Sequence, residues 1–170
     1  MIRILITGPE SSGKTTLAQA LAQELAGTYH AEYARTYLEQ RGGAYEREDL
    51  DTMLREQTDQ RTRQLGKTNI FDTSALTYYQ WSLVKYGKVS HYISEQMAKT
   101  RCDFALLCVP DLPWAPDPLR ESPDYVERMN LFCTSAGLLL QQQQRFGIIQ
   151  GTDRLALALQ TLQLAKITRA

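Results

Sequence analysis

Ile2-Arg3-Ile4-Leu5-Ile6, followed by Gly8-Pro9-Glu10-Ser11-Ser12-Gly13-Lys14-Thr15, is the stretch whose reading decides the fold. The first run is short, apolar and β-branched, and reads as a strand. The second has the form G-x-x-x-x-G-K-[ST], the phosphate-binding P-loop. Behind it Leu17, Ala18, Leu21, Ala22 and Leu25 recur at helical spacing. Strand, glycine loop and helix in this order give the motif its mechanism. Glycines let the backbone curl until its N–H groups surround phosphate oxygens, and the positive end of the helix dipole faces the same anion. Lys14 supplies a mobile cation, and Thr15 a hydroxyl for Mg²⁺. Gly8, Glu10, Ser11, Ser12, Gly13, Lys14, Thr15 and Thr16 are therefore the candidate nucleotide-binding residues.

Outward from this motif, strands and helices alternate. Further strands are expected at 28–30, 69–72, 104–109 and 146–150. The run Phe104-Ala105-Leu106-Leu107-Cys108-Val109 is apolar throughout, as a strand buried on both faces must be. Helices are expected over about 31–41, 46–65 and 152–167, with two more ending near Gly87 and Ala98. Another is expected behind Ser122-Pro123, read as a cap and first-turn proline, with Val126, Met129, Cys133, Ala136 and Leu140 as its inner stripe. Leu50, Met53, Leu54 and Leu65 mark the inner face of the 46–65 helix. The fold class is α/β: a P-loop NTPase with a five-stranded parallel sheet, helices on both faces, of nucleoside- or nucleotide-kinase type. Residues 1–170 suit one domain, with a proline-rich lid at about 110–122.

The balance of 19 Lys+Arg against 19 Asp+Glu excludes a broad electrostatic surface for nucleic acid or membrane. No apolar run approaches the length of a bilayer span. A strand at the very start leaves no room for a targeting peptide, and a cytoplasmic location is expected. Cys102, Cys108 and Cys133 lack metal or disulfide spacing and read as buried reduced thiols.

Several residues beyond the P-loop carry candidate chemistry. Asp72 ends the third strand, where an acid can hold Mg²⁺; it can also cap the next helix. Glu32 and Arg35 follow the second strand, at the edge where an acceptor hydroxyl would arrive. The carboxylate can orient or deprotonate that hydroxyl, and the arginine can clamp an oxygen; the same pair can be a solvated helix face. Five of the six prolines lie between 110 and 123, so this segment is irregular. It carries Trp114 and Arg120, and with Arg128 beyond it can close over a transferring phosphoryl group and stabilise its charge. Arg154, between the last strand and helix, is placed to touch adenine. His30 and His91 read as structural; Gln57, Tyr78, Trp81 and Tyr86 read first as core or face residues and only weakly as site candidates.

The P-loop, Glu32-Tyr33-Ala34-Arg35, Asp72-Thr73, and Pro113-Trp114 with Asp117-Pro118-Leu119-Arg120 together resemble the ribosylnicotinamide kinase domain of NadR-type proteins, in a stand-alone form. The resemblance runs from the first strand to the last helix. It implies ATP- and Mg²⁺-dependent phosphorylation of the 5′-hydroxyl of nicotinamide riboside, giving nicotinamide mononucleotide. By the same resemblance Lys14 and Thr15 hold ATP and the metal. Asp72 stands in the Walker B position, Glu32, Tyr33, Arg35 and Trp114 lie toward the nucleoside, and Arg120 belongs to the lid. That family tends to place a tryptophan before its Glu-Tyr-x-Arg motif, where this chain has Ala31, and an adenylyltransferase domain ahead of the kinase. Two other readings remain at this stage: a kinase for another nucleoside, small metabolite or nucleic-acid end, and a non-catalytic ATP-binding regulator. The sequence has no Asn-Lys-x-Asp guanine motif.

Overall fold

The computed structural model describes residues 1–168. The apolar run becomes strand β1 (Ile2–Thr7), and its alternation divides the molecule in two: Ile4 and Ile6 face one side, Leu5 the other. Helix α1 (Lys14–Glu24) follows, then β2 (Thr28–His30), α2 (Tyr33–Gln40) and α3 (Arg47–Arg63). Next come β3 (Thr68–Asp72), α4 (Ala75–Tyr86), α5 (His91–Lys99) and β4 (Phe104–Cys108). The chain ends with α6 (Tyr125–Gln141), β5 (Phe146–Ile149) and α7 (Arg154–Leu164).

The five strands form one parallel sheet in the order β2-β3-β1-β4-β5. Helices α1 and α7 cover Ile4, Ile6, Ile70, Leu106 and Cys108 on one face. Helices α2 to α6 cover Leu5, Ala105 and Leu107 on the other. Both faces are dry, which is why β4 reads as an unbroken apolar run. The expected α/β P-loop architecture is the one found. Because β1 has β3 on one side and β4 on the other, the crevice at its carboxyl end opens where the chain reverses direction across the sheet. The P-loop and the carboxyl ends of β2, β3 and β4 meet there.

Local chemistry sets the element ends. Ser74 caps α4, its hydroxyl accepting from the Leu76 N–H at 3.3 Å, and Gly87 ends that helix in the left-handed conformation. Ser74 thus takes the capping role open to Asp72, which is left free for the site.

Helix α6 departs from expectation. Its cap is Asp124, not Ser122, and Pro123 lies outside it. Its inner face is Arg128, Ser135, Leu138 and Leu139, whereas Val126, Cys133 and Leu140 are exposed. The polar residues turn inward because they find partners there: the Ser135 hydroxyl donates to Gln80 Oε1 at 2.9 Å, and Gln80 Nε2 donates to the Leu131 carbonyl at 2.6 Å. Of the cysteines expected to be buried, only Cys108 is fully so; Cys102 is half-buried and Cys133 exposed. Leu65 lies beyond the end of α3 and is exposed.

Gly8 is a point of close backbone approach. Its φ is +139°, and a Cβ there would sit 2.5 Å from the Cys108 carbonyl oxygen. Gly8→Ala is expected to destabilise the protein by about 2–4 kcal/mol, read from the denaturant midpoint, because neither backbone can yield. A midpoint unchanged from wild type would remove this account of β1–β4 packing.

Candidate functional site

The P-loop side chains hold the loop and its surroundings together. Ser12 Oγ and Lys14 Nζ each donate to the Pro9 carbonyl at 2.7 Å. Ser11 adopts a positive φ of 53° and Gly13 one of 72°, so successive N–H groups turn inward. The Thr15 hydroxyl donates to Asp72 Oδ2 at 2.6 Å, and the Tyr29 phenol to the same oxygen at 3.3 Å. Burial, reinforced by Asp72, pushes that phenol up to about 12.

Asp72 Oδ1 is buried without a partner. A free carboxylate oxygen beside a threonine hydroxyl at the P-loop is the donor set of a hard divalent cation, so Thr15 and Asp72 fit Mg²⁺. Next to it Thr73 holds a positive φ of 69°, unusual for a β-branched residue, with its buried Oγ1 also unpartnered. Strain of this kind concentrates at functional sites.

Glu32 stands at the amino end of α2, where it could cap the helix but does not. Its carboxylate accepts no hydrogen bond among the described residues. It lies instead among Lys14, Asp72, Arg61 and Arg35, and burial raises it from 4.5 to about 7. Lys14 opposes that rise and Asp72 adds to it. A carboxylate tuned near neutrality and left unbonded in a cleft has the properties of a base or of an acceptor for a hydroxyl.

One cavity of about 220 Å³ joins these groups. It runs from the P-loop past Glu32, Arg35 and Thr73 to Thr77, Trp81 and Lys85 of α4, with Tyr45 on one side and Leu119 to Ser122 above. Tyr45 and Trp81 lie with ring centroids 6.4 Å apart and planes at 34°. Lys85 Nζ sits 3.8 Å from the Tyr45 ring centroid and donates to Glu121 Oε1 at 2.6 Å. The sequence does not mark Tyr45, Lys85, Thr77 and Glu121 as site residues, and marks Trp81 only weakly. The available signal was on α4, where Thr77, Trp81 and Lys85 follow one another at intervals of four.

The proline-rich segment, read from the sequence as a lid, lies against the P-loop. Glu10 Oε2 accepts the N–H groups of Glu121 and Ser122, each at 3.0 Å. Ser11 Oγ accepts from the Ala115 N–H at 3.0 Å. Arg35 donates to Asp117 at 2.6 Å, so this residue ties the lid to α2 while lining the cavity. Arg120 lines the cavity, donates to the Ala115 carbonyl and lies against the Trp114 ring.

Five candidates lie outside the cavity lining: Asp72, which reaches it through Thr15, and four others. Tyr33 packs into the core beneath it, its N–H donating to Gln57 Oε1 at 3.0 Å. Trp114 sits on the lid, over Arg128 at 5.3 Å. Arg128 itself is buried, with Nε and Nη1 unpartnered. Arg154 is buried too; it donates to the carbonyls of Ile149 and Val109 at 2.9 and 3.0 Å and pairs with Asp111. It therefore ties the ends of β4 and β5 together beside Gly13.

Comparison with known structures finds the same fold in nucleotide-handling enzymes. A NadR protein in complex with NR superposes with a TM-score of 0.74 at 18% identity, covering 98% of this chain and 52% of the other. NadR in complex with NAD and AMP-PNP gives 0.76 at 19%, covering 98% and 50%. The chain thus spans about half the length of these NadR chains. Thymidylate kinase from Ehrlichia chaffeensis gives 0.66 at 13% identity, covering 97% of this chain and 98% of that one. Comparison with curated protein sequences gave no significant match. Among the described residues no helix is long and apolar enough to cross a membrane. The sequence profile described as AAA domain (AAA_28) matches residues 3–160, and the chain belongs to that family.

Proposed function

We propose that this protein is a small-molecule kinase that transfers the γ-phosphoryl group of ATP to a hydroxyl, with the 5′-hydroxyl of nicotinamide riboside as the leading acceptor. The observation that carries the reading is the position of Glu32: an unbonded carboxylate tuned near neutrality, in one cavity with Lys14 and with Thr15, whose hydroxyl is bonded to Asp72 behind it. The NadR relation in fold supports the choice of acceptor, since one of those structures holds NR.

In this reading the P-loop N–H groups and Lys14 hold the triphosphate. Thr15 and Asp72 hold Mg²⁺, which when bound draws off phosphate charge. Glu32 accepts the hydrogen of the acceptor hydroxyl and takes its proton as the new O–P bond forms. The bond from the γ-phosphorus to its bridging oxygen breaks, and ADP leaves. Arg120, with Arg128 behind Trp114, supplies positive charge at the lid, and the lid excludes water from the phosphoryl group. The acceptor lies toward Tyr45 and Trp81, which offer the aromatic surface that Ala31 lacks. The same reading makes small molecules, rather than nucleic acid or membrane, the partners, and the cytoplasm, where ATP is supplied, the place of action.

One observation favours a second acceptor. A cationic pyridinium over Tyr45 would share that ring with the Lys85 ammonium 3.8 Å away, whereas an uncharged nucleoside would not. Initial rates with Mg·ATP across nicotinamide riboside and uncharged nucleosides test both. The expected result is acceptor-dependent ADP formation with a 5′-monophosphate product. Turnover of an uncharged nucleoside without turnover of nicotinamide riboside would transfer the assignment to the second acceptor. Tight ATP binding with no phosphorylated product from any acceptor would end the kinase reading.

A further inference from the structure

A second cavity, of about 170 Å³, lies on the α2–α6 side of the sheet and shares no lining residue with the phosphate-site cavity. Its walls are apolar: Leu5 and Phe71 from the sheet, and Leu54, Leu76, Met97 and Leu139 from four different helices. Its charged lining is entirely basic. Arg3, Arg61 and Arg101 line it, and among the described residues no aspartate or glutamate does. In a chain whose charges balance overall, this is a local excess that needs an explanation.

Arg61 is the most telling of the three. Its guanidinium donates to the carbonyls of Ala31, Asp72 and Thr73 at 3.2, 2.7 and 3.1 Å, yet no carboxylate pairs with it among the described residues. Its Nε is buried and unpartnered, and burial lowers its pKa to about 10. One turn before it Gln57, itself 2% exposed, has its Oε1 held by the Tyr33 N–H and the Tyr78 hydroxyl, which leaves Nε2 a buried donor without an acceptor. Buried cations and amide donors left unpaired are costly, and proteins otherwise match them. Carbonyl dipoles satisfy part of Arg61, and the carboxylates of Asp72 and Glu32 act on it through space, but its Nε and Gln57 Nε2 still lack an acceptor.

We propose that this cavity is a second binding site, for a small organic acid whose apolar ring or branched chain fills the space between Leu5, Phe71 and Leu139 and whose carboxylate meets the Arg61 and Gln57 donors. A carboxylate supplies the missing acceptor and a charge opposite to that of the arginine lining, and the volume is that of a single ring. Neither the kinase reading nor its acceptor is needed for this assignment.

Benzoate is the probe, with benzamide as its uncharged counterpart of the same shape. Of the four methionines, Met1, Met53, Met97 and Met129, only Met97 lines the cavity; it also borders a neighbouring depression with Arg101, which neither Arg61 nor Arg3 lines, so the arginine variants assign a Met97 shift to this site. Benzoate is expected to shift the Met97 methyl resonance saturably while leaving Met129 in place, with benzamide at least tenfold weaker. Arg61→Gln is expected to weaken benzoate at least tenfold. Should that variant fail to fold, the rim pair Arg3→Gln with Arg101→Gln is expected to weaken it at least threefold. No saturable Met97 shift, equal affinity for benzamide, or a response centred on the P-loop would overturn the proposal.

Discussion

Lys14→Ala is expected to lower the rate of phosphoryl transfer by about a thousandfold, the scale of removing one preorganised charge from a developing oxyanion. The side chain projects from the first residue of α1 and rests on the Pro9 carbonyl, its one side-chain hydrogen bond among the described residues. Truncation therefore removes one loop contact and leaves both cores alone. The loss falls on ligand and chemistry instead. Lys14 is the cation nearest the phosphate tail, and it is also the leading charge that holds Glu32 down against burial. Without it Glu32 binds its proton more firmly, so the variant loses charge stabilisation and base function together. Lys14→Arg keeps the charge but replaces a flexible ammonium by a wide planar fork, and is expected to remain impaired. Initial rates, nucleotide affinity by calorimetry and a thermal melt separate these effects. A variant that melts like wild type and yet keeps both turnover and affinity within twofold would dismiss the P-loop as a phosphate site here.

Much of this was legible from the chain, for a physical reason. A strand, a tight glycine turn and a helix dipole act locally, so residues 2–25 state their structure by spacing alone. The continuous apolar run at 104–108 announces a strand covered on both sides. Helix α6 was misread because apolar periodicity assumes that burial selects only apolar groups. Ser135 and Arg128 turn inward since Gln80 and the Trp114 ring receive them, and those partners come from distant segments. The acceptor end of the cavity was hidden for the same reason. Tyr45, Trp81, Lys85 and Glu121 come from a loop, a helix and the proline-rich segment, and only Trp81 and Lys85, four apart on α4, are marked locally as neighbours. Arg154 shows the converse: a loop arginine is a natural ligand contact by position, yet here its two terminal nitrogens bond to Val109, Ile149 and Asp111.

Glu32→Gln is expected to separate function from stability, moving them in opposite directions. Turnover should fall by about 10²–10⁴, the range of a positioned general base, while acceptor KM changes little because the amide keeps the shape and an acceptor oxygen. In wild type the acidic limb of the kcat/KM profile should rise with pH and level off near 7, since the free enzyme must release the Glu32 proton. The phosphate charge of bound ATP pushes the same group higher, so the limb in kcat should lie to the alkaline side of it. In Glu32→Gln both limbs should vanish with the activity.

Stability runs the other way. The carboxyl sits near 4.5 in the unfolded chain and about 7 in the folded one. Between those values the unfolded state has released a proton that the folded state still holds, so this group's contribution to stability falls as pH rises through the window and is constant above it. Below pH 4.5 the acid and the amide are both neutral, and variant and wild type should unfold alike. Above pH 7 only wild type carries the buried charge, and Glu32→Gln should be more stable by about 2 kcal/mol, read from urea midpoints at pH 4 and 8. A stability difference that does not change between those pH values would show that Glu32 titrates normally, and the base would have to be sought elsewhere. A stability gain at pH 8 with turnover intact would keep the tuned carboxyl and deny it the proton. Only the paired outcome, lost turnover with gained stability, ties the cost of burying Glu32 to the work proposed for it.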